Sequence, residues 1–262
     1  MANSEKLFEL PDLNDEERSR LRYATQAIIE RARACESETA RVKLLHDWLV
    51  RRCVYGETPG NEDEAYTAYG ALMTGKAVCA GIAQAFGYLC RQTSIECRFV
   101  AGYSGRNAKP SKNEGDGDHA WNLVRVDGVW YHIDVTHDLN HSAKLMRYDY
   151  FLLSDAEAAT SRTWHIPSYP RCPTSFGYYR RAGLFAPDAA SLNALLQRRV
   201  TGSTPFVFQM PVFAESDDDA IDGYLKKAIR ASLAETGTRW KSLTLGSNHK
   251  RGVYQVTLKL AA

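Results

Sequence analysis

Three residues in the middle of this chain have the types and the order of a nucleophile, a base and an orienting carboxylate. Cys79 lies in the sequence Lys-Ala-Val-Cys-Ala-Gly, His119 in Asp-His-Ala-Trp, and Asp134 in His-Ile-Asp-Val-Thr. A thiolate attacks carbonyl carbon atoms, an imidazole moves the proton, and a carboxylate fixes the tautomer of the imidazole. The chain therefore has the residues for covalent catalysis at a carbonyl group, provided that its fold brings them together.

A β-hairpin is predicted between the histidine and the aspartate. Asp127-Gly128 separates two apolar segments that alternate with polar residues, and this dipeptide is typical of a two-residue turn between antiparallel strands. With these two residues in the turn, Val126 lies opposite Val129, and the register of the whole hairpin follows from that pair.

This register predicts that His119 and Asp134 lie on one face of the hairpin. His119 is opposite Thr136 and Trp121 is opposite Asp134, so the imidazole and the carboxylate are diagonal neighbours about 7–8 Å apart at the backbone. Side chains of this length can bridge that distance. The other face carries mainly apolar residues and is predicted to pack on the core.

The surroundings of Cys79 predict a reactive thiol. Small residues follow it at the start of a predicted helix that ends near Gln92. The free N–H groups and the dipole at a helix N-terminus stabilise a thiolate, so we expect a lowered pKa for Cys79. The same N–H groups could bind the oxyanion of a tetrahedral intermediate. An isolated cysteine is most often a small buried residue, but the downstream His119–Asp134 pair favours a nucleophile.

Three sequence blocks around these residues resemble the bacterial transglutaminase-like superfamily. They are Tyr69–Gly81, His119–Val124 and Gly128–Thr136, and the later segment Tyr150–Asp155 resembles one that often follows the core in bacterial members. All three blocks occur in the family order, and the resemblance covers roughly residues 38–165.

The resemblance implies a papain-like α+β fold, in which the helix that carries the cysteine packs on an antiparallel sheet. It implies that Cys79 is the nucleophile, that His119 is the general base and acid, and that Asp134 orients the imidazole. It also implies chemistry on amides, namely acyl transfer to an amine, hydrolysis of a peptide or isopeptide bond, or deamidation. The sequence signature of papain around its cysteine is absent, so papain-type peptidase activity does not follow.

The rest of the chain predicts helices before this core and a small mixed unit after it. Asn14 and Ser37 are predicted N-caps of two helices. A helix over residues 188–200 precedes a predicted strand–helix–strand–strand (βαββ) unit. We therefore predict two domains, a transglutaminase-like catalytic domain with an N-terminal helical segment over residues 1–180, and a helix with the small C-terminal βαββ unit over residues 181–262.

Aromatic residues near the predicted site could contact a substrate or an oxyanion. Trp121 and Tyr69 are predicted to bind substrate, and Tyr66 or Tyr69 could donate a second hydrogen bond to the oxyanion. Core packing is the alternative for each of them. The polar loop over residues 103–118 ends at His119, and it could gate the site or simply cover the surface.

The remaining histidines are weaker candidates. His132 shares the face of the predicted pair but lies farther from Cys79, so a structural role is predicted for it. His137 and His141 have the spacing of a zinc pair on a helix, but the segment after Asp134 is predicted to be a loop. The nearby aspartates lack the spacing of a calcium-binding loop. No metal ion or other cofactor is predicted, and a zinc enzyme is kept as an alternative.

Composition excludes several classes of protein. The 33 Lys and Arg residues nearly balance the 31 Asp and Glu residues in a chain of 262, so neither a nucleic-acid-binding nor a membrane-binding surface is predicted. The N-terminus has no apolar export segment, and the six cysteines form no CxxC pair. Free thiols and a cytoplasmic location are therefore expected. The oligomeric state stays open.

The sequence as a whole favours a cysteine-dependent amide-processing enzyme that acts on peptide or protein substrates through a thioester acyl-enzyme. Hydrolysis and acyl transfer to an amine both stay open. The alternative is a non-catalytic protein-binding module on the same fold, and the presence of Cys79, His119 and Asp134 together disfavours it.

Overall fold

The computed structural model describes residues 8, 10, 13–57, 59–60, 62–105, 108–141, 145–202, 205–212 and 217–261, apart from the side chains of residues 140 and 141. The chain forms two compact units. The first contains residues 1–146 and 150–176, and the second contains residues 147–149 and 177–262.

The α-helices of the first unit, in the part that the structure describes, are α1 (Asp15–Arg33), α2 (Glu38–Arg52), α3 (Ala68–Met73), α4 (Cys79–Gln92), α5 (Val135–His141) and α6 (Asp155–Ala158). Helices α1 and α2 begin at the N-caps that the sequence predicts. The Asn14 side chain accepts a hydrogen bond from the N–H of Glu17 at 3.0 Å, and Ser37 accepts one from Ala40 at 3.1 Å. These contacts satisfy N–H groups that a helix leaves free at its first turn, so both predicted N-caps are confirmed.

The sheet of the first unit contains the predicted hairpin. Its strands are β3 (Cys97–Ser104), β4 (His119–Val126), β5 (Val129–Ile133) and β6 (Arg162–Trp164), in the spatial order β5-β4-β3-β6 and all antiparallel. Val126 pairs with Val129 and Asn122 with Ile133. The predicted turn and register are therefore confirmed within the strands. Helix α4 packs on this sheet, and the Asn122 side chain donates a hydrogen bond to the Ala83 carbonyl at 3.1 Å.

The hairpin ends earlier than the alternation of apolar and polar residues in the sequence predicts. Strand β5 stops at Ile133, and helix α5 begins directly after Asp134. The Asp134 carboxylate accepts a hydrogen bond from the N–H of His137 at 3.0 Å, as an N-cap does. The predicted pairing of His119 with Thr136 is therefore wrong, and so is the predicted loop after Asp134.

Both faces of strand β4 are buried, whereas the sequence predicts one open face. Trp121 and Leu123, on the face of the predicted pair, pack with Trp164 and Cys172. Residues 162–176 contribute to this difference. The sequence predicts irregular structure that wraps the core there, but Arg162–Trp164 forms strand β6 on the edge of β3 and helps to cover that face.

A short pair of parallel strands lies beside the start of α4. Strand β1 (Val54–Tyr55) pairs with β2 (Lys76–Ala77), and Tyr55 is opposite Ala77. The N–H of Gly56 also donates to the Ala77 carbonyl at 3.1 Å. The pair is too short to show a sequence pattern, and it was not predicted. It fixes Tyr55 next to the segment that leads into Cys79.

The second unit contains the predicted βαββ arrangement. After α7 (Tyr178–Arg181) and α8 (Ala189–Arg199) come β7 (Phe206–Gln209), α9 (Asp218–Glu235), β8 (Trp240–Asn248) and β9 (Val253–Leu260). The strands form an antiparallel sheet in the order β7-β9-β8. Leucines of α8 and α9 share a core with Phe208 and Tyr254 of this sheet. The sequence predicts Ser216 as the cap of α9, and that residue lies outside the described part.

A buried carboxylate ties the segment 147–149 to the rest of the second unit. Asp149 accepts hydrogen bonds from Arg147, from the Tyr179 hydroxyl at 2.7 Å and from the Asn248 side chain at 2.8 Å. Its carbonyl oxygen accepts a further bond from Arg251 at 2.9 Å. The second unit therefore depends on three residues that precede Phe176 in the chain. The division into folding domains at residue 180 stays a prediction.

Candidate active site

Cys79 is the first residue of helix α4, as predicted. Val78 is the N-cap and supplies no side-chain bond, and its carbonyl accepts the first helical bond from Ile82 at 3.0 Å. The thiol is half-buried. The N–H groups of the first helical turn therefore have no helical acceptor and lie next to the sulfur.

His119 is the first residue of β4 and is buried beside Cys79. Its Nε2 lies 2.7 Å from Oδ2 of Asp134. Nδ1 is therefore the ring nitrogen that is left for the interaction with the cysteine sulfur. The structure brings Cys79, His119 and Asp134 together in the predicted order of contacts.

Asp134 has more partners than the sequence predicts. Oδ2 also accepts two hydrogen bonds from the Arg162 guanidinium, one of them from Nε at 3.1 Å. The Nδ1 of His137 lies 2.9 Å from the same oxygen. Arg162 is buried, and its guanidinium lies 4.1 Å from the ring centroid of Tyr150. A single carboxylate thus lies beside one guanidinium and two imidazoles, and it is hydrogen-bonded to the side chains of Arg162 and His119.

The charges of these groups favour a thiolate and an imidazolium. Burial lowers the pKa of His119, but the negative charge of Asp134 and hydrogen bonds to Asp134 and Cys79 raise it to about 9. Burial raises the pKa of Cys79, but the hydrogen bond and Coulomb attraction to His119, with the N–H groups of Ala120 and Ala80, give a net decrease. A raised imidazole pKa and a lowered thiol pKa place a proton on the histidine rather than on the sulfur near neutral pH.

The carboxylate of Asp134 stays ionised in this setting. Burial raises its pKa, but His137, Arg162 and His119 together hold it well below its usual range. Its negative charge is the main reason why the imidazole of His119 keeps a proton although it is buried. Asp134 therefore orients His119 and also sets its charge, which fits the role predicted for it.

Arg162 and His137 are site residues that sequence reasoning missed. Arg162 was assigned to an irregular segment, and nothing in the sequence around it indicates a partner 28 positions earlier. His137 was weighed only as a zinc ligand. The rings of His137 and His119 lie edge to face, with centroids 4.6 Å apart. The Asp134-Val-Thr-His137 sequence contains a signal for the position of His137. An aspartate at an N-cap accepts a hydrogen bond from the N–H of the third following residue, and this bond brings His137 next to the Asp134 carboxylate.

Tyr55 is a third residue that the sequence does not point to. Its hydroxyl interacts with both the side chain and the backbone of Cys79. The predicted alternative, Tyr66, instead donates its hydroxyl hydrogen bond to Glu57 at 2.7 Å. Tyr69 is half-buried on α3, and its substrate contact stays a prediction.

Trp121 does not line an open channel, and this prediction needs correction. Only 1% of its surface is exposed, and its ring stacks on His119 with centroids 5.8 Å apart. Its indole N–H donates to Nδ1 of His132 at 3.0 Å, and Nε2 of His132 lies 2.9 Å from Asp155. His132 is therefore structural, as predicted, because it fixes the tryptophan on which His119 rests.

Two groups of ligand-type side chains lie close enough for a metal ion among the described residues. They are His119, Asp134 and His137, and His132, Asp155 and Cys172. Arg162 already places a positive charge on the shared oxygen of Asp134 in the first group. Both ring nitrogens of His132 have hydrogen-bond partners in the second. Neither group is therefore suited to a cation, and the side chain of His141 lies outside the described residues.

We predict that Cys79 reacts with iodoacetamide near neutral pH before the other five thiols. Burial raises the pKa of Cys53 to about 11 and also raises those of Cys90 and Cys172, whereas the pKa of Cys79 is lowered. Alkylation rates follow the thiolate fraction. Timed quenching and peptide mapping would measure this order, with the unfolded protein as control. Earlier modification of Cys35, Cys53 or Cys172 would contradict the assignment.

Among the residues that the structure describes, no helix combines the length and the apolar character that crossing a membrane requires.

The chain is similar in sequence to one known family and to two curated proteins. A family model described as the transglutaminase-like superfamily matches residues 26–135. Two curated relatives carry the name kyphoscoliosis peptidase. The one from Mus musculus is 27% identical over 135 residues, and the one from Homo sapiens is 31% identical over 104. A solved structure of a TGase is 17% identical with a TM-score of 0.39, and the match covers 48% of this chain and 34% of that one.

The curated relatives are much longer than the part that matches. The aligned segments cover 50% and 38% of this chain but only 20% and 16% of the two relatives. The family match contains Cys79, His119 and Asp134, and the predicted α+β fold with a transglutaminase-like core is confirmed. Residues 26–135 are therefore transglutaminase-like, as the resemblance of the three sequence blocks predicts.

Proposed function

We propose that this protein is a cysteine-dependent enzyme that cleaves amide bonds in peptide or protein substrates. One observation carries the proposal, namely the pairing of a Cys79 thiol of lowered pKa with a His119 imidazole whose pKa is raised to about 9. A protein that only binds a partner has no need of this charge arrangement, since strongly shifted pKa values are concentrated at catalytic sites.

The acylation step uses the groups that lie together at the site. The Cys79 thiolate attacks the carbonyl carbon, and the electron pair of the C=O bond moves onto oxygen. When this oxyanion collapses, the C–N bond breaks and His119 gives its proton to the leaving nitrogen. The products are an amine and a thioester on Cys79. Asp134 stabilises the imidazolium before this transfer and holds the ring in place during it.

The deacylation step regenerates the thiolate. The neutral His119 takes a proton from a water molecule, whose oxygen attacks the thioester carbonyl, and the C–S bond breaks. The products are a carboxylic acid and the thiolate–imidazolium pair. A primary amine in place of water gives acyl transfer through the same steps. The name of the two curated relatives supports hydrolysis for this chain, and we propose hydrolysis as the main outcome.

The proposal predicts that cleavage depends entirely on Cys79. A mixed library of peptides from a digested proteome is incubated with the protein, and new N-termini are identified by mass spectrometry. The Cys79→Ala variant should yield none, because removing the nucleophile of such a triad lowers kcat by about 10⁶-fold. Cys35→Ala is the matched control, since Cys35 is a partly exposed thiol on another part of the unit. A fluorescent primary amine in a parallel sample would report acyl transfer.

The opposite result is also informative. Equal cleavage by the protein and by Cys79→Ala would assign the activity to a contaminant or to another site. Absence of both cleavage and amine incorporation, with a full set of peptide sequences, would favour a binding module on this fold.

A further inference from the structure

The position of Tyr55 is fixed by backbone pairing rather than by its own side chain. Strand β1 pairs in parallel with β2, and Tyr55 lies opposite Ala77, two residues before the nucleophile. Hydrogen bonds from Val54 to Gly75 at 2.7 Å and from Gly56 to Ala77 at 3.1 Å hold both sides of Tyr55. The tyrosine ring is therefore anchored beside the entry to helix α4.

The hydroxyl of Tyr55 lies at two atoms that matter for acylation. It interacts with the sulfur of Cys79, and it also interacts with the backbone of Cys79. The N–H of Cys79 belongs to the first turn of α4 and has no helical acceptor. This N–H donates to the Tyr55 hydroxyl oxygen, so the two donors lie together beside the sulfur, where the oxygen of an attacked carbonyl group could accept hydrogen bonds from both.

The chemical state of Tyr55 suits a hydrogen-bond donor. Burial raises the pKa of its phenol, and the negative charge of Cys79 and the hydrogen bond to it raise it further, so the hydroxyl keeps its proton. About 46% of the side chain is exposed, so a substrate can reach it. Because the Tyr55 hydroxyl is uncharged and exposed to solvent, its hydrogen bond can move from the Cys79 sulfur to the carbonyl oxygen of a substrate with little desolvation.

The neighbouring tyrosines are less suited to this role. The Tyr66 hydroxyl donates to the Glu57 carboxylate at 2.7 Å and is thereby engaged. Tyr69 is half-buried on α3. Of Tyr55, Tyr66 and Tyr69, Tyr55 is the one whose hydroxyl interacts with both the sulfur and the backbone of Cys79.

We propose that the Tyr55 hydroxyl and the Cys79 N–H form the oxyanion site of this enzyme. The inference rests on the proposed function. When the thiolate attacks the carbonyl carbon, the C=O electron pair moves to oxygen, and both groups donate hydrogen bonds to the resulting oxyanion. When the oxyanion collapses and the leaving group departs, the hydroxyl returns to the sulfur. No proton leaves Tyr55 in this cycle, because His119 supplies the proton for the leaving group.

Two reagents separate this role from other roles at the same thiol. p-Nitrophenyl acetate acylates a thiolate through a tetrahedral oxyanion, and its leaving group needs no proton. Iodoacetamide alkylates the same sulfur by direct displacement at carbon, and no oxyanion forms. The ratio of the two rate constants therefore measures the oxyanion site and requires no natural substrate.

The test compares Tyr55→Phe with the unaltered chain. Acylation by p-nitrophenyl acetate should fall about 100-fold, as expected when one oxyanion donor is removed. Alkylation by iodoacetamide should change little, because the His119 pair still maintains the thiolate. Tyr66→Phe is the matched control, since it removes a hydroxyl from the adjacent tyrosine, and both of its rates should equal those of the unaltered chain.

Each other outcome overturns the inference in a recognisable way. Unchanged or faster acylation in Tyr55→Phe shows that the hydroxyl is not a donor to the oxyanion, while the proposed function stands. An equal fall in both rates shows that Tyr55 only positions or ionises the thiol. If the unaltered chain is alkylated at Cys79 but not acylated there, the proposed function itself fails, and the oxyanion site fails with it.

Discussion

Replacement of Asp134 by Asn is expected to lower kcat about 10³–10⁴-fold, the size of the effect when the carboxylate of a catalytic triad is removed. The charge of Asp134 is the main interaction that raises the pKa of His119 to about 9, so its loss returns the imidazole to the neutral form near pH 7. The cysteine then loses its cationic partner. The pH dependence of Cys79 alkylation would show this directly, as a shift of the thiolate titration to higher pH.

The same substitution is expected to cost stability. Asp134 is the carboxylate partner of the buried Arg162 guanidinium, and breaking a buried ion pair by removing one member typically costs about 3–5 kcal/mol. Rates must therefore be compared at a temperature where urea unfolding shows that the variant is folded.

The hairpin offers a matched control in its second histidine–aspartate pair. Asp155 accepts a hydrogen bond from His132 at 2.9 Å, and its other oxygen accepts the N–H of Cys172 at 3.1 Å. Asp155→Asn makes the same chemical change in a pair that does not contact Cys79. The amide oxygen can still accept the hydrogen bond of His132, so the contact of His132 with Trp121 is kept and kcat should stay close to the original value. If Asp134→Asn keeps full kcat, Asp134 has no part in the mechanism.

Replacement of His46 by Gln is expected to give the largest loss of stability of any single histidine substitution, about 3–5 kcal/mol. His46 is fully buried in α2, with Nδ1 3.0 Å from Asp47 and Nε2 3.1 Å from Asp138. Burial lowers its pKa, but the hydrogen bonds and charges of Asp138 and Asp47 outweigh this and raise it overall. Its removal leaves the carboxylates of α2 and α5 without the cation between them. Urea unfolding followed by tryptophan fluorescence would measure the loss.

The effect of His46 should depend on pH with a definite sign. A group whose pKa is raised in the folded state stabilises the fold fully below its unfolded pKa, here 6.5, and loses this contribution as the pH rises through the folded value. The stability difference between the unaltered chain and His46→Gln should therefore be largest below pH 6.5 and should decrease in alkaline solution. His165→Gln, which removes a half-buried ring bonded to the Ser168 hydroxyl, should show a small effect. A difference that grows with pH would mean that His46 is neutral in the folded protein.

The parts of the site that could be predicted from the sequence are those set by local periodicity. The Asp127-Gly128 turn fixes the register of β4 and β5, and that register brings His119 close to Asp134. The start of α4 follows from small residues at helical spacing. These features depend on neighbours within a few positions, so a sequence contains the information for them.

The parts that could not be predicted depend on contacts between segments far apart in the chain, or on local competition between a strand and a helix cap. Arg162 reaches Asp134 from a strand of three residues, and Tyr55 reaches Cys79 from a strand of two. Such strands are too short for a pattern. Val135 and Thr136 continue the alternation of apolar and polar residues in β5, but the Asp134 carboxylate caps a helix there instead. A hydrogen bond from a side chain to the backbone competes with strand formation, and the spacing of apolar residues does not reveal this competition.

The three residues 147–149 have a consequence for how this chain could be rearranged by gene fusion or deletion. Residues 177–262 could be taken for a segment that folds after transfer to another protein, since they contain the helices α7, α8 and α9 and the strands β7, β8 and β9. A transplanted segment would nevertheless lack the carboxylate of Asp149, which accepts the hydrogen bonds of Tyr179 and Asn248. The transplanted segment would therefore lose two hydrogen bonds to a buried carboxylate. The second unit is therefore expected to need residues 147–149, and a gene fusion that begins at residue 177 would encode a weakened fold.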